Sequence, residues 1–220
     1  MQSPFVMKDA RAQIIQVCQR LYQKNMLAAA DGNVSFRISD DEILFTPSGV
    51  SKAYVQAEDI AVVKLDGTIV SGKPSSERLM HLQVYQSCPL AKAVVHAHPP
   101  HAIAWSVAEP DLKELPNTCL LEVILAAGSI PMVPYARPST QSMADVLTDF
   151  LPDRRLMILS RHGALSWGES LDEAAMGMER IEHSAQILYL AQSLKQLTHL
   201  PEDEINSLKE MRKKIGPKTL

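Results

Sequence analysis

At 220 residues and 24.3 kDa, with 46% hydrophobic and 21% charged residues, the chain is long enough for one large domain with its own core and too apolar for a disordered one. Its 22 basic and 25 acidic residues are interspersed and give a net charge of -3, so it presents no electrostatic footprint for nucleic acid or anionic lipid. Cys18, Cys88 and Cys119 are odd in number and far apart, which fits neither a disulfide framework nor a metal-ligand spacing and points to a reducing compartment.

The stretch Met1 to Phe5 lacks a basic region followed by an apolar core, and the apolar run Leu120 to Tyr135 is broken by Glu122, Gly128, Pro131 and Pro134. A cytoplasmic protein without a membrane span is expected. Ile14, Ile15, Val17, Cys18, Leu21, Tyr22 and Met26 recur at helical spacing and predict an amphipathic helix over 8–26. The period then shortens. Val34 to Ile38 alternates, Asp40-Asp41 reads as a turn, and Glu42 to Thr46 returns as a hairpin partner; Asp59 to Leu65 and Thr68 to Val70 repeat the pattern across Asp66-Gly67.

Ser75 or Ser76 is expected to cap a helix running to about Gln86 and closed by Pro89. Ala93 to Ala97 reads as a buried strand, ended by Pro99-Pro100, and a short helix is expected from Pro100 to about Ala108. Leu120 to Ala127 is ambiguous between helix and strand. Thr140 to Phe150 reads as a helix, Leu156 to Ser160 and Ala164 to Trp167 as strands about a turn at Arg161-His162-Gly163. Ser170 with Glu173 forms a capping box that opens a helix of about seven turns. A last helix after Pro201, at about 201–215, carries Ile205, Leu208, Met211 and Ile215 on one stripe and is stopped by Gly216-Pro217. Strands in the middle with helices around them predict one layered α/β domain over 1–220.

The chemistry gathers at His96 and His98. Side chains alternate along a strand, so these two imidazoles project to one face and can reach one cation. His162 lies in a turn followed by Gly163, and Glu77 lies at the start of a helix; together, three imidazoles and a carboxylate suit Zn2+ or a similar borderline divalent metal. His81 and His183 fall inside helices and His199 in a polar connection, which reads as structural or exposed. His101, beyond the proline pair, is at most a neighbour of the ligands. Asp31-Gly32-Asn33, Thr46-Pro47-Ser48-Gly49 and Lys73-Pro74-Ser75-Ser76 are turns of small residues, able to hold a phosphate with hydroxyls, an amide and backbone N–H groups and little positive charge.

Gly32-Asn33-Val34-Ser35, Thr46-Pro47-Ser48-Gly49, Ser75-Ser76-Glu77, Val94-Val95-His96-Ala97-His98 and His162-Gly163 occur in the order and spacing of the class II, zinc-dependent sugar-phosphate aldolase family, which also holds ribulose-phosphate 4-epimerases, methylthioribulose-phosphate dehydratases and the adducin head. The resemblance covers nearly the whole chain and looks closest to the L-fuculose-1-phosphate aldolase branch. It implies a mixed, largely antiparallel sheet with helices on both faces, in a homotetramer with active sites between subunits. It implies that His96, His98 and His162 bind zinc, with manganese or cobalt as substitutes. Glu77 would be the catalytic acid/base, able to approach the metal when substrate is absent. Asn33, Ser48, Gly49, Ser75 and Ser76 would hold the phosphate of a sugar-phosphate substrate. The expected reaction is reversible cleavage of a ketose 1-phosphate to dihydroxyacetone phosphate and an aldehyde; dehydratase and 4-epimerase chemistry, or an adducin-like scaffold, are the alternatives. The chain departs from the fuculose branch where that branch handles the aldehyde: Leu120-Leu121-Glu122 replaces a tyrosine region, and no aromatic residue follows Tyr189.

Overall fold

The alternating segments pair as strands. In this computed structural model, which describes residues 4–218, β1 (Asn33–Arg37) and β2 (Glu42–Phe45) run antiparallel with Ser35 opposite Phe45 and Arg37 opposite Ile43. Met1, Gln2 and Ser3, part of the stretch read above for a leader, lie outside the described residues. β3 (Ala61–Lys64) and β4 (Ile69–Ser71) extend the sheet beyond β2. On the other side of β1 stands β5 (Ala93–Ala97), followed by β8 (Gly163–Gly168), β7 (Leu156–Leu159) and β6 (Met132–Val133). The order is β4-β3-β2-β1-β5-β8-β7-β6, and only the β6–β7 pair is parallel among the described strands.

Alternation along these strands builds two cores. Val34, Val95 and Ile158 face α1 (Pro4–Gln23), α3 (Pro100–Ala108) and α5 (Leu171–Leu194). Phe45, Val94 and Leu165 face α2 (Arg78–Ser87) and α4 (Gln141–Asp145). The chain is thus a single α/β domain with a mixed, largely antiparallel sheet and helices on both faces. α6 (Glu202–Ile215) buries Leu208, while Met211 and Ile215 of its apolar stripe stay 48% and 42% exposed.

Several boundaries differ from the sequence expectation. α1 ends at Gln23 rather than 26, because Asn25 takes a left-handed φ of 58°. The helix expected over 140–150 stops at Asp145; beyond Ala144 the bonds tighten to Leu147 N–H to Ala144 C=O and Thr148 N–H to Asp145 C=O. The ambiguous segment becomes one wide π turn, Val123–Ala127, closed by Gly128 at φ 78°. Ser170 does cap α5, accepting from the Glu173 N–H at 3.1 Å, and the Glu173 carboxylate also accepts from Arg155 Nη1 at 2.8 Å and the Glu169 N–H at 2.8 Å. The result that matters for the site is at the sheet's centre, where the end of β5 and the starts of β1 and β8 meet.

Candidate metal and phosphate site

β5 reads Ala-Val-Val-His-Ala and is buried throughout, so its one polar side chain must find partners inside the protein. His96, fully buried, stands opposite Asn33 on β1 and Leu165 on β8. Its Nδ1 lies 2.9 Å from the Ala164 carbonyl. A carbonyl only accepts, so Nδ1 carries the proton and Nε2 is left with a lone pair aimed away from the sheet. His98 follows one residue past the strand, held by its N–H on the Met26 carbonyl at 2.8 Å, and Pro99-Pro100 then turns the chain into α3.

His162 comes from the β7–β8 turn. The left-handed residue there is Arg161, at φ 60°, with its N–H on Ser106 Oγ at 2.9 Å. Gly163 is required by space rather than by φ, which corrects the tight-turn reading of that residue. A Cβ on it would lie 2.5 Å from the Ala97 carbonyl oxygen, 2.8 Å from His96 Cε1 and 2.9 Å from His98 Cδ2. The three rings therefore close on one another, with centroids 5.0 Å (His96–His98), 4.8 Å (His96–His162) and 5.3 Å (His98–His162) apart.

Glu77 approaches from the opposite layer. It occupies the N-cap position of α2 rather than its first turn, and the cap expected at Ser75 or Ser76 is displaced: Ser75 instead closes a turn, accepting the Glu77 N–H on Oγ and the Arg78 N–H on its carbonyl, each at 3.3 Å. The Glu77 carboxylate spans two imidazoles. Oε2 is 3.2 Å from His96 Nε2 and accepts from Asn33 Nδ2 at 3.0 Å; Oε1 is 3.1 Å from His162 Nε2 without the geometry of a hydrogen bond. His98 Nδ1 faces Asp31 Oδ2 at 3.4 Å, and its Nε2 stands 3.2 Å from His96 Nε2.

This arrangement fits a cation. One ring nitrogen from each of His96, His98 and His162 lies within 4.8 Å of the others. His96 Nε2 carries a lone pair, Glu77 Oε1 is buried without a hydrogen-bond partner, and both point inward. A divalent ion would give these donors a common partner, and N and O donors of this kind suit zinc, manganese or cobalt. The electrostatics agree. Burial, and then the neighbouring imidazoles of His96 and His162, push His98 down to about 4, so its imidazole is neutral near pH 7, as a ligand must be. Burial works to raise the Glu77 carboxyl, but the adjoining His96 and His162 imidazoles outweigh it and hold the group below the usual carboxylate range.

Beside the cluster lies a cavity of about 300 Å3 lined by Asn33, Ser48, Gly49, Ser75 and Ser76, all the positions expected to hold phosphate. Its two main turns are stitched together by the Ser48 N–H on the Lys73 carbonyl at 3.0 Å and the Ser75 N–H on the Thr46 carbonyl at 3.1 Å. The Ser48 N–H is thereby used up, leaving its hydroxyl for a ligand. Pattern reading missed two contributors. Ser139, in the left-handed region at φ 61°, crosses from the segment before α4 to donate to Ser76 Oγ at 3.0 Å. Lys52 lines the same cavity although it is only 2% exposed, and an isolated lysine carries no sequence signal for burial.

The remaining histidines stay outside. His101 turns to α5, its Nδ1 2.7 Å from Glu182 Oε1. His199 meets Thr118 Oγ1 at 2.6 Å, and His183 is exposed. His81 is buried against Ser35 Oγ at 2.7 Å. A larger cavity of about 610 Å3 between α1, α3 and α5 contains none of the clustered ligands, and its Arg20–Glu179 and His101–Glu182 pairs already satisfy one another.

The chain belongs to the class II aldolase and adducin N-terminal domain family, whose model matches residues 12–189. It is 32% identical over 191 residues to the 3-oxo-tetronate 4-phosphate decarboxylase of Escherichia coli strain K12, covering 84% of this chain and 88% of that one. It is likewise 32% identical over 183 residues to an L-fuculose phosphate aldolase of Methanococcus maripaludis, covering 83% and 98%. Among solved structures, YgbL from Escherichia coli, whose description spans aldolase, epimerase and decarboxylase, superposes with a TM-score of 0.86 at 30% identity over 93% of this chain and 99% of that one.

Proposed function

We propose that the protein is a zinc-dependent lyase of sugar-phosphate metabolism that reversibly cleaves a ketose 1-phosphate, of the L-fuculose 1-phosphate kind, to dihydroxyacetone phosphate and an aldehyde. The observation that carries the reading is the Glu77 carboxylate, which spans His96 and His162 and is tied through Asn33 to the small-residue cavity. One residue thus joins a metal subsite to an anion subsite.

In this reading His96, His98 and His162 hold the ion, and Asn33, Ser48, Gly49, Ser75 and Ser76 receive the phosphate. A bound zinc ion supplies Lewis-acid polarisation of the substrate carbonyl and stabilises negative charge on the adjoining oxygen. Cleavage breaks the C3–C4 bond, leaves its electron pair on the three-carbon fragment as an enediolate, and passes the C4 hydroxyl proton to solvent water as that carbon becomes an aldehyde. Glu77 returns a proton to C3. In the condensation direction the ionised Glu77 removes that proton.

A second reading is decarboxylation. A 3-oxo acid carrying a 4-phosphate loses its carboxyl group as CO2 and leaves the same three-carbon enediolate, but no hydroxyl proton has to be taken from a departing aldehyde. Leu120-Leu121-Glu122 in place of an aldehyde-side aromatic, together with the E. coli decarboxylase relative, favours it. Incubating the zinc-loaded protein separately with a 6-deoxyhexulose 1-phosphate and with 3-oxo-tetronate 4-phosphate separates them. Dihydroxyacetone phosphate with lactaldehyde supports the aldolase, and dihydroxyacetone phosphate with CO2 supports the decarboxylase. Loss of water, or inversion at C4 of a ketose 5-phosphate, would assign dehydratase or epimerase chemistry; inertness throughout would favour the adducin-like scaffold.

The proposal includes a cytoplasmic location, supported by three free thiols and by the lack of any described helix long and apolar enough to cross a membrane. It also includes a homotetramer with active sites between subunits. Leu190 and Leu194 on α5, 52% and 88% exposed, are apolar surface that such an assembly would cover. Sedimentation of the active protein as a monomer would contradict it.

A further inference from the structure

Lys52 is a cation enclosed behind the phosphate turns. Its Nζ donates to the Ala30 carbonyl at 2.9 Å and the Val50 carbonyl at 2.7 Å. Those carbonyls flank different loops: Ala30 precedes the Asp31-Gly32-Asn33 turn, and Val50 follows Thr46-Pro47-Ser48-Gly49. The ammonium therefore clamps two walls of the cavity. Among the described residues these two carbonyls are its hydrogen-bond acceptors, no carboxylate forms an ion pair with it, and no other lysine or arginine lines the cavity.

A buried ammonium without a counter-ion is unfavourable unless the folded state offers it an anion. The Asp31 carboxylate lines the same cavity but is turned to His98. Burial pulls the Lys52 ammonium below its ordinary value, opposed first by Cys18 and then by the Asp31 and Glu77 charges. Neither carboxylate of the adjoining cavity pairs with Lys52, since Asp31 faces His98 and Glu77 faces His96 and His162, so its counter-charge is still missing. A phosphate dianion placed among Ser48, Gly49, Ser75 and Ser76 supplies it.

We propose that Lys52 is a positioning residue for substrate phosphate, selecting a dianion by its buried charge and fixing the two loops at the separation the phosphate bridges. The proposal rests on the sugar-phosphate reading above and adds the charge state that the cavity recognises. Lys52 takes no part in bond cleavage.

The test is calorimetric binding of methyl phosphate and methyl sulfate to the zinc-loaded protein and to Lys52→Met at pH 7.5. The two probes have similar shape, but only the first is mainly a dianion there. The wild type should prefer methyl phosphate. Lys52→Met should keep its zinc content, weaken methyl phosphate about 10–100-fold, as expected for a bond to a charged group, and lose most of that preference. Unchanged methyl phosphate binding, or an equal loss for both anions, overturns the charge role. Failure of the wild type to bind methyl phosphate at all removes the phosphate reading itself, and this inference with it. Should Lys52→Met not fold, the wild-type Lys52 ammonium followed by 15N NMR should shift on adding methyl phosphate; an unmoved resonance is the contrary result.

Discussion

Asn33 donates through Nδ2 to Glu77 Oε2 at 3.0 Å, linking the first residue of β1 to the residue that caps α2. The bond fixes the orientation of a carboxylate that would otherwise rotate on three side-chain torsions, and it comes from a residue whose own position is set by sheet pairing with His96. Replacing Asn33 by Ala should lower turnover and weaken phosphate binding together while leaving the metal content intact. A variant that lost only one of the two would separate the subsites.

Glu77→Gln keeps the shape of the side chain and removes its capacity to carry a proton. The fold, the metal and phosphate binding should survive, and kcat should fall by about 10²–10⁴-fold, the usual contribution of general acid/base catalysis. Steady-state kinetics on the substrate that proves active checks this. Near-wild-type turnover would assign the proton transfer elsewhere.

About one zinc per chain is expected, since three neutral imidazoles leave an open coordination position. Removing one ligand by His98→Ala should reduce metal retained after dialysis against a weak chelator to near the background level. Elemental analysis of both proteins decides it, and equal metal contents would remove the site as described.

Gly163→Ala places a Cβ 2.5 Å from a backbone oxygen and against two ligand rings, none of which is the far end of a flexible chain. Overpacking of this kind costs about 1–3 kcal/mol or more, and the relief available here is to spread β5 from β8 and displace the histidines. Lower denaturant midpoint and lower metal affinity should appear together. Wild-type values of both would contradict the close approach.

Burial, followed by the neighbouring His96 imidazole, pushes His81 down to about 3 from an ordinary value of 6.5, with Glu77 opposing. Between those values the unfolded chain binds a proton that the folded chain does not, so stability is lost as pH falls from about 6.5 toward 3. This single group contributes a slope of up to about 1.4 kcal/mol per pH unit. His98, pushed to about 4, acts in the same sense in the metal-free protein. Denaturant midpoints of metal-free protein at pH 7, 6 and 5 should decline, and His81→Asn should flatten the decline. Midpoints independent of pH across that range would show that His81 is protonated inside the fold.

The residues in the site were legible in the sequence wherever the chemistry was local. Period-two alternation alone placed His96 and His98 on one face, and Pro99-Pro100 ended the strand beside them. The small-residue turns and the ordered motifs pointed to the family and to a candidate anion pocket, because turn residues and phosphate-binding groups are the same short polar side chains. Only the tertiary structure decided what depends on elements distant along the chain. It set Glu77 at the α2 cap facing both His96 and His162, and it made Gly163 a matter of clearance from Ala97 rather than of turn geometry. It also shortened the helix expected over 140–150 and enclosed Lys52 between two loops. Local pattern records propensity and the side a residue faces, whereas clearance, burial of a charge and the meeting of ligands are set by how the two layers pack on the sheet.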